Sequence, residues 1–234
     1  MLAELKAEMP APSGDVELRE TTDLLADLSL FIQAEETLDA RREPLGFEVS
    51  FGAGVGSSGA DEPLARVEPI EITAGDLTFR IAGRVDRVDR IDGPQGPAFQ
   101  ILDYKTGGFW KDDWTGTFAG GRMLQHALYG LAVAELLTRA NLKGRVVGAE
   151  YYFSATKGRQ HRQHIPSPKA ADVAMVLSDL RNVIVSGLFV HAPADKACRF
   201  CDYQHACGRA AHKMADAKNG DPALLPYRRL AGHV

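Results

Sequence analysis

Phe47-Glu48-Val49-Ser50-Phe51 alternates apolar and polar side chains, which predicts a strand with one buried face, and Gly52 to Glu62 breaks it. Two further strands are expected over residues 65–73 and 76–90, with Ala74-Gly75 as the turn. Val85, Val88 and Ile91 alternate with charged neighbours, and Phe99, Ile101 and Leu102 form a short apolar run that leads into Asp103. The linker Asp92-Gly93-Pro94-Gln95-Gly96-Pro97 is a turn by composition, so a hairpin closed by it brings Asp86 and Asp103 side by side. Helical spacing of Leu24, Leu25, Leu28, Phe31, Ile32 and Leu38 predicts an amphipathic helix over residues 18–42, after a loose segment over 1–15. A long, largely buried helix is expected over 121–138, a strand over 144–153, and a second helix over 169–188, broken by Gly187. Strands, then a helix, then a strand point to an α/β core built on a mixed sheet.

The chain has 234 residues and 45% hydrophobic content, enough for one large domain or one domain with an appendage. A division into a flexible segment over 1–17, a core over 18–195 and a cysteine-bearing segment and tail over 196–234 is expected. No apolar run is long enough to span a bilayer, and the N-terminus lacks the basic-then-apolar order of a signal peptide, which implies no membrane partner and a cytoplasmic protein. With a net charge of −4, any attraction to nucleic acid must come from a local basic stripe. Lys157, Arg159, His161 and Arg162 form one candidate, and Arg84, Arg87 and Arg90 another; solvated strand ends and a loop are the alternative. Gly54-Val-Gly56-Ser-Ser-Gly59 satisfies the letter of a dinucleotide-binding turn, but the residues after it do not continue as a helix, so it reads as a hairpin loop.

A phosphodiester is shielded by its own charge, so its hydrolysis needs a cation beside the phosphate and a deprotonated water; a divalent metal supplies both. Mg²⁺ is held by one or two carboxylates, which matches a pair formed by Asp86 and Asp103. Lys105, two residues beyond Asp103, projects from the same strand face and can reach the scissile phosphate or the attacking water. A surface ion pair between Asp103 and Lys105 is the alternative. Gln125 and Tyr129 lie four apart on one face of the long helix, where a polar pair needs partners: a phosphate, the strand from Asp103 to Lys105, or the helix's own packing.

All three cysteines, Cys198, Cys201 and Cys207, fall within ten residues, which favours a metal over a disulfide framework, with reduced core cysteines as the alternative. Zn²⁺ could be completed by His205 or, with less strain, His212.

These residues together resemble the PD-(D/E)XK nuclease superfamily, and within it the RecB-like branch and its AddB-type nuclease domains. The resemblance rests on Gly83-Arg84-Val85-Asp86-Arg87, Asp103-Tyr104-Lys105-Thr106-Gly107, Gln125-xxx-Tyr129, the cysteine segment and the tail Asp221-Pro-Ala-Leu-Leu-Pro-Tyr227. It covers roughly residues 45–228. It implies a restriction-endonuclease-like mixed central sheet flanked by helices, with a C-terminal metal-binding cysteine segment. It implies catalytic roles for Asp86, Asp103, Lys105, Gln125 and Tyr129, and a Mg²⁺ or Mn²⁺ site drawn from Glu48, Asp86, Asp103 and Tyr104. It also implies a [4Fe-4S] cluster on Cys198, Cys201 and Cys207, whose fourth thiolate is missing because no cysteine precedes Cys198. The implied activity is a metal-dependent DNA nuclease, an exonuclease on single strands working with a helicase in double-strand break repair. A catalytically inactive DNA-end-binding or scaffold module is the competing reading, and a hydrolase of small phosphate esters a third.

Overall fold

A computed structural model describes residues 8–38, 42–52, 63–93, 95–190, 201–208 and 211–234. The chain divides into two compact units that interleave along the sequence. The first takes residues 1–70, 81–111 and 129–167, and the second 71–80, 112–128 and 168–234.

The first unit is built on a five-stranded sheet in the order β1-β4-β5-β6-β7, where β1 is Arg42–Phe51, β4 Gly83–Gly93, β5 Gly96–Tyr104, β6 Arg145–Phe153 and β7 His161–Pro166. The β5 and β6 strands pair in parallel and the other neighbours antiparallel, so the expected mixed sheet is present. The parallel pair needs a crossover, and the helix in that connection is α2, Gln125–Arg139. Val49, Phe51, Val85, Val88, Ile101, Leu102 and Tyr152 are buried and form the sheet's packed centre, with Leu136 and Leu137 of α2 also buried.

The helix α1, Gly14–Glu36, starts earlier than the apolar spacing suggests, inside the segment expected to be flexible. Ser13 caps it by accepting from the Val16 N–H, and Asp15 and Glu17 place negative charge in its first turn, where the helix dipole favours it. Only part of its apolar face is used. Phe31 packs edge-on against Tyr104 and stacks on Tyr152, whereas Leu18, Leu25 and Ile32 stay about half exposed or more.

The single strand expected over 76–90 is two strands. The β3 strand, Leu77–Ile81, pairs with β2, Ile70–Ala74, in a separate hairpin, and β4 begins only after Ala82. The break falls where Gly52, at φ 70°, comes so close to Ala82 that a Cβ there would meet the Ala82 side chain at 2.6 Å. Residues 63–69, expected to begin a strand at 65, form none apart from one bridge, in which Arg66 pairs with Phe51.

In the second unit, α3 (Ala170–Val185) ends before Gly187, which takes φ 64° as the end of a helix requires. The C-terminal elements α4 (Gln204–Cys207), α5 (Ala211–Lys218) and α6 (Leu225–Ala231) follow. The final residues pack on the loop that precedes α2: the Gly120 N–H donates to the His233 carbonyl, and a side chain at Gly121 would collide with Leu230. With Ala119, Gly120 and Gly121 all at positive φ, α2 opens at Gln125 rather than at residue 121. No described helix is long and apolar enough to cross a membrane.

Candidate active site

The β4–β5 hairpin decides which charges share a face. Its register pairs Arg87 with Leu102 and Val88 with Ile101, and one further step sets Asp86 across from Asp103. Directly opposed residues of an antiparallel pair project from the same face. The hairpin is tied at this level by the Tyr104 N–H, which donates to Asp86 Oδ2 at 2.8 Å. Asp103 is buried and Asp86 half-buried.

Lys105 extends the strand beyond β5: its N–H donates to the Tyr152 carbonyl at 2.8 Å, which keeps the parallel pairing in step. Its ammonium then turns back along the Asp103 face, lying 2.5 Å from Asp103 Oδ2 and 5.4 Å above the Tyr151 ring. Tyr151 is the β6 partner of Asp103, so the lysine lies over the two residues that define this end of the sheet. Asp86, Asp103 and Lys105 thus share one face of the sheet.

Glu48 falls between the paired positions Phe47↔Arg87 and Val49↔Val85, level with Asp86. Its φ of 50° is a left-handed conformation that costs a non-glycine residue about 1–3 kcal/mol. The carboxylate pairs with Arg84 Nε at 2.8 Å, and both side chains are more than half exposed. Tyr104 does not join the acids through its side chain. Its ring lies on the other face, where its hydroxyl accepts from Arg87 Nη1 at 3.2 Å, so Tyr104 can serve the Asp86 side through its main chain alone.

Tyr129 stands beside the start of β4. A Cβ at Gly83 would come 3.1 Å from Tyr129 Cε1 and 3.2 Å from Phe51 Cζ, and the Tyr129 and Phe51 rings meet edge to face at 6.0 Å. Gly83 is therefore small because a tyrosine ring occupies the space of its missing side chain, three residues before Asp86. Gln125 opens α2 one turn before Tyr129 and belongs to the second unit.

The opposite face carries what the sequence reading missed. Arg87, expected on a basic stripe, is 2% exposed. Its Nε donates to Asp89 Oδ1 and its Nη1 to Glu35 Oε2, each at 2.5 Å. Arg42 pairs with the other oxygen of Asp89 and, at 3.3 Å, with Glu150. Arg162, a candidate for the other basic stripe, bridges Glu150 at 2.7 Å and Glu35 at 3.0 Å while its guanidinium lies 3.7 Å over the Tyr152 ring. Both arginines are thus withdrawn from solvent because buried carboxylates need them. Burial alone would raise the Glu35 carboxyl, but the Arg87 and Arg162 guanidiniums outweigh it and hold the group below its ordinary value. Burial pushes the Tyr104 hydroxyl upward despite the Arg87 contact. The signal was available in the spacing: Arg84, Arg87 and Arg90 are three apart on a strand, so Arg87 falls on the face opposite the other two and cannot form one stripe with them.

Cys198 lies outside the described residues. Cys201 is half-buried and Cys207 exposed, both free thiols, and Cys207 lines a cleft of about 550 Å³ with Phe189, Met214, Leu224 and Tyr227. Among the described residues no three His, Cys, Asp or Glu side chains gather as a metal-binding group, which holds for Glu48, Asp86 and Asp103 as well as for the described part of the cysteine segment. His205 is exposed.

Two acids and a lysine thus share one face at the end of a hairpin, on a mixed sheet flanked by helices. Residues 2–208 match the PD-(D/E)XK nuclease superfamily, and the chain belongs to it. A 111-residue stretch is 33% identical to an ATP-dependent helicase/deoxyribonuclease subunit of Ruminiclostridium cellulolyticum. That stretch is 47% of this chain and only 9% of that protein's length.

Proposed function

We propose that the protein is a metal-dependent deoxyribonuclease, an exonuclease on single-stranded DNA that acts beside a helicase in double-strand break repair. The observation that carries the hydrolytic part is the shared face of Asp86, Asp103 and Lys105. The helicase context is supported by the relative, which is named as a helicase/deoxyribonuclease subunit, and the repair context only by the family resemblance read in the sequence.

The acids suit a hard divalent ion. Asp103 is buried and its register partner Asp86 is half-buried, so a carboxylate pair lies where water is partly excluded, and Mg²⁺ or Mn²⁺ takes one or two carboxylates of this kind. Such an ion supplies charge neutralisation and an acidified water. Asp86 and Asp103 would hold it, with the Tyr104 main chain and Glu48 as further candidates. Tyr104 fixes Asp86 through its N–H, so the carboxylate is oriented before any ligand arrives. Lys105 stays against Asp103 until a phosphate enters, and its ammonium then offsets charge developing on the phosphate oxygens. Tyr129 braces the start of β4, and Gln125, a turn earlier on the helix, is assigned to the DNA side.

At the cysteine segment, Cys198, Cys201 and Cys207 would supply three thiolates of a [4Fe-4S] cluster whose fourth ligand is not among this sequence's cysteines, with Zn²⁺ completed by His205 or His212 as the alternative.

Purified protein incubated with Mg²⁺ and end-labelled single-stranded DNA tests the assignment. Mononucleotide release that is lost in Asp103→Ala and Lys105→Ala supports it. Cleavage that those substitutions leave unchanged rejects it.

A further inference from the structure

The loops that follow β5 and β6 lie together at the carboxyl edge of the parallel strands, the edge at which open sheets of this kind bind ligands. Residues 105–110 make the first loop. Its Phe109 is turned inward, stacked 3.6 Å from the His161 ring and edge-on to Phe153 at 5.3 Å. Its neighbour Trp110 is turned outward and is 70% exposed.

An indole in water is costly to leave bare, and this one is not left bare by disorder of the loop around it. Phe109 anchors the loop to β6 and β7. Gly108 brings it against the second loop, since a Cβ there would stand 3.5 Å from the Lys157 carbonyl and 3.5 Å from Trp110 Nε1. The second loop is fixed in turn by Asp27, which accepts from the Thr156 N–H at 2.6 Å and from its hydroxyl at 2.5 Å. Lys157 and Arg159 of that loop are exposed, with Arg159 held at φ 53°. The result is an exposed aromatic face on an anchored loop, five residues beyond Lys105, with two exposed cations on the adjoining loop.

We propose that Trp110 is a stacking platform for an unpaired base of a single-stranded nucleic acid, with Lys157 and Arg159 meeting the flanking phosphates. The proposal deepens the nuclease reading and rests on it for the identity of the polymer. Every base offers a π face, so a single exposed indole grips single strands without reading their sequence, and it has no purchase on a stacked duplex. A platform one short loop beyond the Asp103–Lys105 strand end would hold the strand as it approaches the two acids.

The test uses the full chain in EDTA, so that binding is read without cleavage, with two fluorescein-labelled probes of equal length: oligothymidylate and an abasic deoxyribose-phosphate polymer. Trp110→Ala should weaken oligothymidylate binding about tenfold or more while leaving the abasic polymer unchanged, and Trp110→Phe should keep most of the affinity. Lys157→Ala with Arg159→Ala should weaken both probes alike. The proposal is overturned if Trp110→Ala binds both probes as the wild type does, if it loses both equally, or if the wild type binds neither. Cleavage in Mg²⁺ is scored separately: a wild type that stacks oligothymidylate on Trp110 but never cuts it retains the platform and loses the nuclease assignment.

Discussion

Tyr104 binds the two faces of the sheet together at Asp86, donating its N–H to the Asp86 carboxylate while its hydroxyl accepts from Arg87 on the far side. The candidate site on one face and the ion-pair network on the other are therefore coupled through a single residue of β5.

That arrangement predicts different outcomes for neighbouring charges. Asp86→Asn keeps the shape of the side chain and an acceptor for the Tyr104 N–H, but removes the charge that would hold a cation. Cleavage of single-stranded DNA should fall at least a hundredfold, equivalent to about 2.7 kcal/mol of barrier. The midpoint of urea unfolding should move little. A variant that unfolds before it loses activity would show that Asp86 is structural.

Arg87→Ala should do the reverse. Asp89 is fully buried, and removing one guanidinium leaves it and the half-buried Glu35 short of a partner, a change that costs about 3–5 kcal/mol. Chemical denaturation measures it directly. Arg87→Ala with Asp89→Asn should cost less than the two single changes added together, because both remove the same Arg87–Asp89 pair while Arg42 stays on the other oxygen; a double variant as unstable as the sum of the two singles would mean the pair is not coupled.

Much of the candidate site was legible in the sequence and much of its support was not. The β4–β5 hairpin followed from a period of two and a Gly/Pro turn, signals that act over a few residues, and the same period placed Asp103 and Lys105 on one face. Arg87 and Arg162 were misread because a cation in a strand looks identical in sequence whether it faces water or a buried carboxylate. Their partners Glu35 and Glu150 are 52 and 12 residues away, and only the packing of α1 and β7 on the sheet reveals them. The β7 strand was missed for the same reason, since His161-Arg-Gln-His-Ile-Pro166 has almost no apolar alternation and is held by pairing with β6. The early start of α1 followed from Ser13 and two acids, a cap that the apolar spacing does not register.

His126 gives a pH prediction with a defined sign. It is buried in the second unit, stacked at 6.1 Å on Phe118, and burial holds its pKa down to about 4 from 6.5. The folded state therefore keeps the ring neutral at pH values where the unfolded chain takes a proton. Stability from this group is complete above pH 6.5 and is lost as pH falls from 6.5 to about 4, a total of order 3 kcal/mol. Glu35, held below its ordinary value, adds its own acid loss at lower pH. The difference between wild type and His126→Gln isolates the histidine. It should shrink steadily through that window, and a constant difference from pH 7 to 4 would rule out a neutral buried ring.

Gly83 and Tyr129 supply the last prediction, which separates packing from chemistry at the start of β4. A methyl group at Gly83 would sit 3.1 Å from Tyr129 Cε1 and 3.2 Å from both the Tyr129 hydroxyl and Phe51 Cζ, closer than ordinary contact, so one of the rings must shift. Overpacking of this kind costs about 1–3 kcal/mol, and thermal unfolding of Gly83→Ala should register it. Tyr129→Phe keeps the ring and should be near neutral for stability, which leaves any change in cleavage attributable to the hydroxyl. Gly83→Ala combined with Tyr129→Ala should be less destabilised than the two single changes added together, since the second opens the space the first fills. Strict additivity would mean that the tyrosine ring does not occupy the place beside Gly83 and that β4 is positioned without it.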